Sequence, residues 1–166
     1  MDASYVMPFV KALENVFSTM LQIQVQVEPP RLRDTTEPGH DVSGIIGMSG
    51  DVTGAVVLSF PTETALRVVN LFTGLETELG DEDFADAIGE LVNMVTGNAK
   101  AEFKNADVSI SCPSVVIGAG HQIFQRKDQP IIEIPCDCDC GPMTVLVTMR
   151  DNVEQINVAD TESNAA

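Results

Sequence analysis

Positive charge is scarce in this chain: 9 lysines and arginines stand against 25 aspartates and glutamates, a formal net charge of −16 at pH 7. So one-sided a surface repels phosphate backbones and anionic headgroups, which argues against nucleic acid and membranes as partners. Long hydrophobic runs are missing as well. No stretch reaches the roughly 18 consecutive apolar residues of a membrane span, and the N-terminus, MDASYVMPFV, lacks the basic region and apolar core of a secretory leader. A chain of this kind is expected in the cytoplasm. Metal-ligand spacing is equally thin. Three of the 4 cysteines fall in CDCDC, at Cys136, Cys138 and Cys140, without the usual zinc-knuckle interval, and neither His40 nor His121 stands at a matching distance. If PIIEIPCDCDC is a strand, these thiols share one face with Ile132 and Ile134; their Cα atoms then lie roughly 6.5–7 Å apart with parallel Cβ vectors, which disfavours a disulfide between them. Buried free thiols are the expected state, with a thiolate metal site or a redox sensor as the sharper alternatives. The glycine-rich stretch Gly118-Ala119-Gly120-His121 has no helix start and no lysine where a phosphate loop needs them. It reads as a turn, with His121 a loop residue holding a local hydrogen bond.

What is present reads as one domain. A chain of 166 residues can bury about two thirds of its unfolded surface without metal or disulfide staples. The domain is expected over residues 1–150. From Asp151 hydrophobicity falls away, and residues 151–166 read as an acidic, disordered tail. Pro8 opens a helix whose Phe9, Val10, Leu13, Val16, Phe17, Met20 and Leu21 recur at intervals of three and four. QIQVQVE then alternates, with Ile23, Val25 and Val27 inward, as a strand wetted on one side does. Residues 31–41 are polar and read as a loop. VSGIIGMSG and DVTGAVVLSF form two strands around a Gly50-Asp51 turn. After Pro61, Thr62 is placed to cap a short helix carrying Ala65, Leu66, Val69, Leu71 and Phe72 and stopped by Gly74. VSISCPSVVIG, QPIIEIPC and PMTVLVTM supply three more β-rich runs. Pro113 marks a bulge or edge in the first, and Gly141-Pro142 reads as the turn between the last two. Strands outnumber helices without strict alternation. An α+β domain follows, with about three helices packed on a mostly antiparallel, six-stranded sheet.

The strongest helical signal runs over residues 81–104. Phe84, Ile88, Leu91, Val92, Val95, Ala99 and Phe103 fall on one stripe of a 3.6-residue period, while Asp86, Glu90, Asn93 and Gly97 fall on the opposite side. Asp81, Glu82 and Asp83 sit where negative charge suits the start of a helix, and Lys100 and Lys104 where positive charge suits its end. Glu90 and Asn93, three residues apart, have Cβ atoms about 5–6 Å apart, close enough to act on one bound group. Gly89 and Gly97 each cost about 1 kcal/mol against alanine inside a helix, which suggests a surface kept bare for a partner. Taken alone, a glutamate and an asparagine on a solvent face are ordinary surface residues.

The run GELVNMVTGNAK, with Glu90 and Asn93, resembles the Glu-x-x-Asn signature helix of the CheX chemotaxis phosphatases, within the broader CheC/CheX/FliY group. The likeness continues through VSGIIGMSGDVTGAVVLSFP, SISCPSVVIGAGH, PIIEIP and GPMTVLV, and so spans most of residues 1–150. The resemblance implies a CheC-like fold, a homodimer made by joining sheets edge to edge, and hydrolysis of the aspartyl phosphate on a CheY-like response-regulator receiver. It implies that Asn93 orients the attacking water, that Glu90 docks on the receiver's active-site lysine, and that Asp86, Gly89 and Gly97 belong to the partner-binding face. The chain then needs no cofactor of its own, and the divalent cation, Mg²⁺, belongs to the receiver. Relatives with two active helices carry the pair twice. Here Glu14 is followed by Phe17, so one site is expected. A non-catalytic receiver-binding or signal-relay module of the same fold is the alternative.

Overall fold

The computed structural model describes residues 6–34, 37–103, 106–123 and 129–152. Helix α1 (Met7–Val16) starts with Pro8 in its first turn and buries Phe9, Val10, Ala12, Leu13 and Val16. It runs into a π-helical turn, Phe17–Leu21, closed by Gln22 at φ 58°, and the chain then enters strand β1 (Val25–Val27). Two residues of the polar stretch expected to be pure loop form β2 (Arg31–Leu32). Next come the long β3 (Val42–Gly50) and β4 (Val52–Phe60), joined at Gly50-Asp51 as their patterning implies. Helix α2 (Thr62–Thr73) ends on Gly74, whose φ of 72° suits the left-handed cap. Helix α3 (Glu82–Ala101) follows, then β5 (Val108–Ile110), β6 (Ser114–Ile117), β7 (Ile132–Cys138) and β8 (Gly141–Asp151).

All strand pairs are antiparallel, in the order β1-β7-β8-β4-β3-β5, with β2 also on β7 and β6 also on β3. The six-stranded path therefore gains two short strands at its ends, eight in all among the described residues. Three sequence expectations shift at this level. Pro113, which can donate no ladder hydrogen bond, splits one β-run into β5 and β6, both paired to β3. The last hairpin turns at Asp139-Cys140 and not at Gly141-Pro142, because Cys138 pairs with Gly141; Cys140 thus leaves the strand face of Cys136 and Cys138. Thr62 is the first residue of α2 and not its cap; its hydroxyl donates to the Asp41 carboxylate at 3.0 Å. In the same helix Val68 is buried while Leu71 is 46% exposed.

Alternation along the strands sorts the core into two layers. Val42, Ile46 and Met48 of β3, Val56, Leu58 and Phe60 of β4, and Val145 and Val147 of β8 point to the helices and join the main core with α1, α2 and α3. On the reverse face Val57, Ile131 and Leu146 make a smaller cluster with Ile45 and Ile123. A polar row crosses that face, since Ser43, Ser59 and Thr144 are register partners on three neighbouring strands. Ser43 and Ser59 hydroxyls lie 3.0 Å apart, His121 Nε2 meets Ser43 at 2.8 Å, and His40 Nε2 meets Thr144 at 3.2 Å. His121 also keeps its local bond, Nδ1 to the Gly118 carbonyl at 2.8 Å. Beside this row, buried Glu133 pairs with Arg31 at 3.1 Å and Arg33 at 3.3 Å, holding the segment after β1 against the sheet. Lys104 and residues 153–166, including most of the expected tail, lie outside the described residues.

Candidate functional site

Helix α3 forms where the apolar period is longest and buries Phe84, Ala87, Ile88, Leu91, Val92, Val95 and Ala99 between α1 and the sheet. Its start is favoured by Glu82 and Asp83 in the first turn and its end by Lys100 in the last. Asp81 precedes it in an extended conformation and accepts the Glu78 amide at 2.7 Å, so it secures the incoming loop. The helix lies directly on β3. A Cβ built on Gly44 would come within 3.1 Å of Ile88 Cγ2 and Val92 Cγ1 and within 3.2 Å of the Ile88 carbonyl oxygen. Gly44 is therefore the contact that sets how closely α3 seats, and Ile88 and Val92 are the residues flanking Glu90 on its buried side.

The outward face carries the residues singled out from sequence. Asp86 and Glu90 are exposed, and Asn93 and Gly97 are half-buried, each three or four positions from the next. The side chains of Asp86, Glu90 and Asn93 make no hydrogen bond or ion pair among the described residues. Their polar atoms are uncommitted, unlike the carboxylates of Asp41, Asp51, Asp81 and Glu133, each of which holds a neighbour. Gly97 has open space where a Cβ would go, whereas Gly89 is buried and its Cβ would stand 3.3 Å from Pro113 Cγ and 3.7 Å from Val115 Cγ2. Of the two glycines, Gly97 leaves bare surface, and Gly89 admits strand β6 beside the helix. Between α3 and the start of β6, Ala85, Asp86, Gly89, Glu90, Pro113 and Val115 line a shallow hollow next to the Glu90 carboxylate.

Chemically, a carboxylate and a carboxamide one turn apart offer an anion for docking a cation and a neutral group that both accepts and donates hydrogen bonds. The pattern is not repeated at the N-terminal helix, where Glu14 of α1 is exposed but Phe17, in the π-helical turn that follows, is fully buried. No cysteine lines this hollow. All four cysteines are free, and burial, with the neighbouring Cys138, Glu28 and Glu14 adding to it, pushes the Cys136 thiol up to about 12; burial likewise raises Cys140. Held protonated in this way, Cys136 and Cys140 are poor nucleophiles. Among the described residues no three His, Cys, Asp or Glu side chains gather as a metal site requires. Neither Pro113, legible only as a bulge or edge, nor Val115 pointed to this site in the sequence, because only the pairing of β6 with β3 brings them to α3.

A family model described as chemotaxis phosphatase CheX matches residues 42–137, a span that contains all of α3. The chain is 34% identical over 121 residues to the CheY-P phosphatase CheX of Thermotoga maritima, covering 71% of this chain and 78% of that one. The crystal structure of a chemotaxis protein CheX from Desulfovibrio desulfuricans superposes with a TM-score of 0.82 at 32% identity, over 89% of this chain and 99% of that one. CheX from Borrelia burgdorferi, solved as a complex with CheY, BeF3 and Mg²⁺, superposes with a TM-score of 0.74 at 25% identity, over 88% of this chain and 97% of that one. By the matched family model and by this kinship in sequence and fold, the chain belongs to the CheX family of chemotaxis phosphatases.

Proposed function

We propose that this chain hydrolyses the aspartyl phosphate of a CheY-like response-regulator receiver. The observation that carries the reading is the uncommitted Glu90–Asn93 pair on the outward face of α3, inside the segment that matches the family. An acyl phosphate is labile already, and phosphoryl transfer passes through a loose transition state, so positioning is most of the work. Water adds to phosphorus as the bond to the aspartyl oxygen breaks, which leaves inorganic phosphate and a free receiver carboxylate. Asn93 accepts a hydrogen bond from that water through Oδ1 and donates through Nδ2 to a phosphoryl oxygen, without adding negative charge. Glu90 docks as an anion on the receiver's active-site lysine and fixes the helix over the phosphoryl group. Gly97 and Asp86 extend the contact along the helix, and Gly89, buried under Pro113, lets β6 pack beside them. Mg²⁺, which neutralises phosphoryl oxygens, is held by the receiver and not by this chain.

One domain over residues 1–150 suffices for this activity, and it works in the cytoplasm as a homodimer joined through sheet edges, for which β1 and β2 at one end and β5 and β6 at the other are available. Mixing the protein with each phosphorylated receiver of its own organism and timing phosphate release tests the reading. Accelerated loss from one receiver, lowered by Glu90→Ala through both KM and kcat, is expected. Tight binding of a phosphorylated receiver with no acceleration would favour the relay module instead.

A further inference from the structure

Beside the catalytic pair, the hollow between α3 and β6 combines features that fit one kind of side chain. Its floor is apolar, made by Pro113 and Val115 of the β6 segment packed over buried Gly89, and its rim carries two exposed carboxylates, Asp86 and Glu90, one turn apart. Neither carboxylate is paired among the described residues. A long basic side chain matches this arrangement, with methylenes on the floor and its charged head at the rim, because lysine and arginine bury their stems while keeping the head solvated. The hollow lies on the N-terminal side of Glu90, while Asn93 lies toward the C-terminus; at 1.5 Å per residue, Asp86 and Asn93 are about 10 Å apart along the axis. An occupant of the hollow therefore stands outside the phosphorylation pocket.

We propose that the hollow lined by Asp86, Gly89, Pro113 and Val115 receives a second basic side chain of the receiver, separate from its active-site lysine, and selects which receiver this protein serves. The inference rests on the phosphatase reading and adds β6 to the docking surface. Asp86 and Val115 are then specificity residues that touch the partner away from the reacting atoms.

Steady-state dephosphorylation of the cognate receiver is the test, with thermal melting to confirm folding of each variant. Asp86→Asn should raise KM about three- to fivefold, the scale of one exposed ion pair, and flatten its dependence on salt. Val115→Lys, which fills the hollow with a like charge, should raise KM at least tenfold, with kcat changed far less than KM in both variants. Alanine replacement of lysines and arginines around the receiver's phosphorylation site, one at a time, should reveal one whose effect is lost in the Asp86→Asn background. KM values within twofold of wild type for both variants, or additivity with every receiver substitution, would overturn the proposal while the Asn93 chemistry stood. A wild-type protein that dephosphorylates no receiver would overturn both.

Discussion

At the scale of single residues, the two glycines of α3 separate packing from recognition. Gly97 faces open space, so nothing among the described residues opposes a methyl group there, and the helix gains about 1 kcal/mol by exchanging glycine for alanine. Gly97→Ala should therefore raise the melting temperature by roughly 2–4 °C, while receiver affinity falls because the added methyl stands in the partner's path. Differential scanning fluorimetry and a binding titration on the same variant check both halves. A change in stability without a change in affinity would place Gly97 outside the contact. His40 allows a second test. Its pKa is lowered, first by burial and then by the nearby Arg33, so the unfolded chain takes up a proton near the ordinary 6.5 before the folded chain does. Its contribution to stability is complete above that pH and is lost as pH falls through it toward the lowered native value. Denaturant titrations at pH 7.5 and 5.5 should show a smaller loss on acidification for His40→Gln than for wild type; an equal loss would mean that the carboxylates alone set the pH dependence.

At the scale of elements, the site depends on how α3 seats on β3. Gly44 lies under Ile88 and Val92, and a Cβ there meets the Ile88 carbonyl oxygen as well as side chains, so relief needs a backbone shift. Gly44→Ala should cost about 1–3 kcal/mol of stability, the range for overpacking a core, and lower kcat by moving Glu90 and Asn93 together. Chemical denaturation with single-turnover dephosphorylation reads both. A destabilised variant with unchanged kcat would show that α3 seats independently of this contact. The elements best read from sequence were those with a sustained period: the stripe of α3, the face of α1, and β3 with β4. The four residues placed on the outward side of α3, Asp86, Glu90, Asn93 and Gly97, share one face in the structure, whereas Gly89, expected to leave bare surface, is buried against Pro113. Elements fixed by distant partners were less legible. Arg31 and Leu32 form a strand only because β7 offers an edge, and one β-run breaks at Cys112-Pro113 only because β3 pairs with both pieces.

At the scale of the whole molecule, one sheet divides two kinds of environment. The helical side is apolar and presents the Glu90–Asn93 face on the far side of α3, whereas the reverse side carries the hydroxyl row of Ser43, Ser59 and Thr144 with both histidines of the chain. That row was illegible in the sequence because its members lie 16 or more positions apart and meet only through strand register. The −16 charge is likewise a whole-molecule property, and its field makes association with any charged partner depend on ionic strength. The central claim remains local: Asn93 orients water and contributes little to affinity. The most direct measurement compares Asn93→Ala with wild type in two assays, binding of the receiver loaded with beryllium fluoride and phosphate release from the phosphorylated receiver. The account predicts binding within about threefold of wild type and a fall in turnover of about a hundredfold or more, the scale lost when one positioned group is removed. Wild-type turnover in Asn93→Ala would contradict it.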